Sequence, residues 1–133
     1  MIQNYYQAKE KIMNGVELIA AERTRQIEQE GWTPDHDDQH NDSSLALAAL
    51  CYARPPETLR MITKLEREDI SNGRGDYPVW GEQPYQVPAD WPESWDAIWW
   101  SPGDDGGPNR IRDLVKAGAL IAAEIDRLIR LND

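Results

Sequence analysis

The segment RIRDLVKAGALIAAEIDRLIRL, residues 110–131, restricts the fold more tightly than any other stretch. Ile111, Leu114, Val115, Gly118, Ile121, Ile125, Leu128 and Ile129 recur at helical spacing and form one continuous apolar stripe. A stripe of this kind predicts a long helix packed against the rest of a domain. Gly118, between Ala117 and Ala119, costs about 1 kcal/mol of helix propensity relative to alanine. Such a small patch most simply lets a second helix approach closely, and the alanine-rich SLALAALCYA (44–53) is the expected partner.

Three further helices are expected. Residues 5–30 read as a helix whose strongest part is VELIAAERTRQIEQE, with Val16, Ile19, Ala20 and Ile27 on one face, Arg23 interrupting it, and Gly31 as its stop. Asp42 or Ser43 can cap the second helix, which is apolar nearly all round and therefore predicted to be central and buried. It ends at Arg54, because Pro55 disfavours α geometry in the residue before it. ETLRMITKLEREDI (57–70) reads as the third, with Leu59, Ile62, Leu65 and Ile70 inward.

Residues 71–108 hold most of the prolines and glycines and four tryptophans within ten positions, Trp91, Trp95, Trp99 and Trp100. An irregular arm ordered by its aromatics is expected there, with a short helix across ESWDAIWW. Its Arg-Gly-Asp at 74–76 is read as a chance match to an adhesion tripeptide. No strand alternation or repeat is evident. The expected architecture is one all-α domain over residues 1–133, a small bundle of 3–5 helices with a Pro/Gly/Trp-rich arm.

A net charge of −10 argues against binding nucleic acid, whose phosphates are met by Lys and Arg. No apolar run approaches a membrane span, and the N-terminus has no signal-peptide pattern. The single cysteine, Cys51, sits in an expected buried helix and cannot make an internal disulfide. A cytoplasmic protein is the expectation.

The densest chemistry lies in EGWTPDHDDQH (30–40), which contains both histidines, His36 and His40. Zinc would need three or four ligands, and an HxxxH spacing aligns two rings only on a helix, whereas Pro34 argues for a loop. An EF-hand is excluded, because a loop starting at Asp35 would place His40 and Ala46 where glycine and glutamate are required. Magnesium needs fewer carboxylates, and Glu22, Asp35 and Asp38 are the candidate ligands, Asp37 being a further carboxylate of the set. The plainer alternative is that Asp37, Asp38 and Asp42 only cap and hydrate a turn.

ERTRQIEQEGWTPDHDDQH together with WWSPGDDGGPNRIRDLVKAGALIAAEIDRL resembles a widespread group of small phage and prophage proteins. That resemblance implies a viral or mobile-element origin, and hence the host cell cytoplasm. IEQEGWTPDHDD also resembles the ryanodine-receptor repeat (RyR) module through Gly31, Trp32, Thr33, Asp37, Asp38 and His40. The RyR likeness implies sensing of a nucleotide-like ligand rather than turnover. A more distant likeness is to the MazG-type all-α nucleotide pyrophosphohydrolases. Their Glu-x-x-Glu is absent here; Glu66-x-x-Asp69, Glu93-x-x-Asp96 or a set of Glu22, Asp38 and Asp113 would have to replace it.

The leading expectation is a binding protein for a nucleotide or nucleotide-derived signal, of phage type, sequestering a host immune signal. Trp32, Trp99 and Trp100 would stack on a ring. Arg23, Arg112 and Lys116 would meet phosphate, and Asp37 and Asp38 would accept donors, with His36 and His40 beside them. The first alternative is a magnesium-dependent nucleotide hydrolase with His36 or His40 as general base; no cofactor is expected otherwise. The second is an acidic protein that inhibits a host enzyme. The alanine-rich helices also allow a homo-oligomer.

Overall fold

The computed structural model describes residues 13–64, 85–104, 107 and 109–133. Four helices dominate: α1 (Gly15–Glu30), α2 (Pro34–Asp38), α3 (Ser44–Ala53) and α4 (Arg110–Leu131). Two short strands, β1 (Met61–Lys64) and β2 (Tyr85–Pro88), pair antiparallel with Ile62 opposite Val87. The protein is mainly helical but not all-α, which corrects the expected class.

The helix ends follow local chemistry. Asn14 and Glu17 form a reciprocal capping box at the start of α1, each backbone N–H donating 3.0 Å to the other's side chain. Gly31 ends α1 at φ 74°, the left-handed geometry a glycine enters without strain, and its N–H donates to the Gln26 carbonyl. Ser44 N–H donates 3.1 Å to Asp42 Oδ1 at the start of α3, while Ser43 adopts φ 66° and caps nothing with its side chain. α3 stops before Pro55 as expected, and Arg110 donates to the carbonyls of Tyr52, Ala53 and Arg54. A cation thus closes the negative end of that helix.

The third expected helix is not formed over its described part. Pro56–Thr58 is a single 3-10 turn and Met61–Lys64 is β1; Leu65 and Ile70 lie outside the described residues. Ile62 and Thr63 are β-branched and suit a strand, but their partner lies more than twenty residues further along the chain. The helix expected across ESWDAIWW is likewise only a 3-10 turn, Ala97–Trp99, capped by Asp96. The Arg-Gly-Asp tripeptide and Glu66-x-x-Asp69 also fall outside the described residues.

The core combines Leu45, Ala48, Ala49, Cys51 and Tyr52 of α3 with Ala117, Leu120 and Ala123 of α4, closed by Val87, Trp91 and Trp95. Cys51 is buried, and burial pushes its thiol up to about 11. Leu47 and Leu50 remain exposed, so α3 is buried on one side rather than all round.

The expected apolar faces of α1 and α4 are inward only in part: Val115 is buried and Ile19 packs at Gly118, but most of the other expected positions are exposed. The fully buried side chains of α1 are Glu22 and Gln26, while Val16 is exposed. α4 buries Arg112, Asp113, Lys116 and Arg127 beside small residues, and turns Ile111, Leu114, Ile121, Ile125 and Leu128 outward. Gly118 does permit a close approach, but the neighbour is α1: a Cβ at Gly118 would stand 2.4 Å from Ile19 Cδ1. Among the described residues no helix is long and apolar enough to cross a membrane.

Candidate functional site

The acidic–histidine segment folds more regularly than a loop. Thr33 caps α2, with its hydroxyl accepting 3.3 Å from His36 N–H, and Pro34 occupies the first helical position. This turn brings the two imidazoles together, with ring centroids 4.8 Å apart. Pro34 therefore starts a helix here instead of preventing one.

The aromatic rings then collect around this turn. His36 stacks on Trp32 at 5.4 Å and 26°. Trp95 lies beneath, meeting Trp32 edge-on at 5.3 Å, His40 at 5.2 Å and Trp99 at 5.4 Å. Trp99 reaches back to Trp32 at 5.9 Å. Trp95 is buried, Trp32, His36 and His40 are half-buried, and Trp99 is 37% exposed. The result is a ring-lined surface with a tryptophan floor.

Charge is built into the base of this surface. Arg23 donates 2.5 Å to Asp37 Oδ2 and 3.2 Å to the Trp32 carbonyl, which fixes α1 to α2. Asp37 is 0% exposed. Its second oxygen, Oδ1, has no hydrogen-bond partner among the described residues and lies 3.6 Å from His36 Nδ1, which also lacks one. A buried carboxylate oxygen facing an imidazole is an arrangement that can orient the ring or accept a donor from outside. Asp38 is exposed and held by Arg130 at 2.8 Å, so α2 is also tied to the end of α4.

Burial and the neighbouring His36 both pull the His40 pKa below its ordinary value. The unfolded chain therefore binds a proton at His40 before the folded protein does. Stability from this group is present above about pH 6.5 and is lost as pH falls through the lower folded value. Melting temperature is expected to drop as pH falls below about 6.5, and His40→Gln should flatten that part of the profile. An unchanged slope in the variant would remove His40 from the account. Asp42 titrates far lower, near 2, held down by hydrogen bonds from Ser44 and Ser94, so the two effects separate on the pH axis.

Not every expected site residue joins this surface. Arg112 donates 2.6 Å to Glu22, inside the α1–α4 contact. Lys116 donates to the carbonyls of Ser101 and Gly103 and lies over the Tyr52 ring; burial lowers its pKa. Trp100 packs on Tyr52 and Trp91. These three anchor the 101–104 segment and the core instead of lining the ring surface. Glu22, Asp35 and Asp38 do not assemble as metal ligands: Glu22 is held by Arg25 and Arg112, Asp38 by Arg130, and Asp35 is exposed. Among the described residues no three His, Cys, Asp or Glu side chains are grouped to hold a metal ion.

Neither protein-family models nor curated proteins nor solved structures matched this chain. The site therefore has to be read from its own geometry. Arg23, Trp32, His36, Asp37, His40 and Trp99 come together; Trp95, expected only to order the arm, lies beneath them, and Arg130 holds Asp38 and the Pro34 carbonyl beside them. Trp95 had a signal only in its place among the four clustered tryptophans of the arm. Arg130 had none, because its partners lie more than ninety residues away.

Proposed function

We propose that the protein binds a small molecule carrying a flat ring, in the class of nucleotides or nucleotide-derived signals, on the Trp32–His36–His40–Trp99 surface. The observation supporting this reading is the wall of half-buried rings beside the Arg23–Asp37 pair, whose carboxylate is buried. Stacking on such rings is worth about 1–3 kcal/mol per base. The neutral His40 imidazole offers one donor and one acceptor to a base edge. Arg23, which donates to the Trp32 carbonyl, is the cation tied directly to this ring surface, whereas Arg112 and Lys116 are engaged elsewhere. Capture without turnover fits the RyR-like segment, and sequestration of a host immune signal in the host cell cytoplasm fits the phage-type resemblance.

Turnover is the second reading, favoured by one contact: Asp37 Oδ1 near His36 Nδ1 would orient His36 as a general base. A single experiment separates the two readings. The protein is incubated with a panel of linear and cyclic nucleotides, with and without magnesium, and every species is quantified by chromatography before and after heat denaturation. Sequestration returns one nucleotide intact, and hydrolysis leaves a product. Trp99→Ala is expected to weaken capture about 10- to 100-fold. Depletion of no nucleotide would overturn both readings.

A further inference from the structure

Asp37 and His36 each leave one buried polar atom unanswered, and the two atoms face one another. Asp37 is 0% exposed; its Oδ2 accepts from Arg23 at 2.5 Å, while Oδ1 has no hydrogen-bond partner among the described residues. His36 Nδ1 is enclosed and equally without a partner, 3.6 Å from that oxygen. With Nδ1 bare, two lone pairs would oppose each other out of reach of water, and both buried acceptors would stay unsatisfied. A proton on Nδ1 turns the same approach into attraction.

We propose that Asp37 is a positioning residue that fixes the neutral His36 imidazole with its proton on Nδ1. Nε2 then carries the lone pair, and it accepts a hydrogen bond from an amino group on the bound base. The side chain is 27% exposed although Nδ1 is enclosed, so the exposed edge of the ring is the one bearing Nε2. Adenine and cytosine carry an exocyclic amino donor where guanine and thymine carry a carbonyl acceptor. The donor preference rests on capture of a flat-ring ligand at this surface, whereas the tautomer does not.

Ring-nitrogen NMR of the ligand-free protein at about pH 8, above the ordinary imidazole range, reads the tautomer directly. The chain has only two histidines, so His40→Gln leaves one imidazole and assigns the signals. The expected result is a protonated Nδ1 and a bare Nε2 at His36. A bare Nδ1, or a ring protonated on both nitrogens, would overturn the proposal. Asp37→Asn should reverse the tautomer. Arg23 has only donors and takes the amide oxygen, which turns the amide N–H groups towards Nδ1 and moves the ring proton to Nε2. A retained Nδ1–H in that variant would overturn the positioning role.

Calorimetry with adenosine and cytidine monophosphates, each against its analogue lacking the amino group, reads the selection. At least one amino-bearing nucleotide should bind about 10-fold more tightly than its analogue in the wild type, and about equally in Asp37→Asn. Equal binding of both pairs in the wild type would overturn the acceptor role of Nε2. Binding of no nucleotide would overturn the capture reading and the donor preference with it, and the spectrum alone then decides the tautomer. If Asp37→Asn does not fold, the wild-type spectrum and the wild-type preference decide.

Discussion

Glu22→Gln is expected to lower unfolding free energy by about 3–5 kcal/mol, the cost of leaving a buried cation without its counter-charge. Glu22 is 0% exposed and receives Arg112 at 2.6 Å, Arg25 through two hydrogen bonds of 2.8 Å, and Gln26 at 3.2 Å. Burial alone would raise its pKa, but the hydrogen bonds and charges of Arg25 and Arg112 outweigh it and hold the carboxyl below the ordinary value. Its stabilising effect is therefore present at neutral pH and is lost as pH falls through that lowered value. Glu30 is the internal control. It also meets Arg25, at 2.9 Å, but is largely exposed, so Glu30→Gln should change stability by about 0–1 kcal/mol. Urea denaturation of both variants measures the difference. Equal, small effects would mean that the α1–α4 contact is hydrated and that the buried network does not hold the helices together.

Trp95→Ala should cost about 3–5 kcal/mol, as expected for truncating a buried aromatic side chain. Trp95 is 2% exposed and touches Trp32, His40, Trp91 and Trp99, so its removal leaves a cavity between the ring surface and Trp91. Trp99→Ala, four residues on at the exposed rim, should cost only about 1 kcal/mol. Denaturant midpoints and near-ultraviolet circular dichroism distinguish the two. A mild Trp95 variant would show that the arm is not core. The contrast also identifies Trp99 as the substitution through which ligand capture can be tested without unfolding the protein.

Much of the fold was legible in local chemistry. Gly31 and Pro55 stop α1 and α3 where expected, because one supplies the left-handed residue and the other forbids continuation. The EGWTPDHDDQH segment was legible as a candidate site, and Trp32, His36, Asp37 and His40 do meet there. β1 was misread as helix because Met61–Lys64 pairs with Tyr85–Pro88, a distant partner that local periodicity does not report. Arg112 and Lys116 were assigned to ligand because a cation in sequence carries no sign of the carboxylate or carbonyls that will occupy it.

The sequence by itself determined which segments become α1, α3 and α4 and where they stop, since caps, prolines and glycines act within a few residues. Only the tertiary structure decided which faces turn inward. The apolar period of α4 predicted that its isoleucines would be core, yet α1 and α4 meet through Glu22 and Arg112, ninety residues apart. A charge can be buried when its partner is buried with it, and that pairing exists only after the chain has folded.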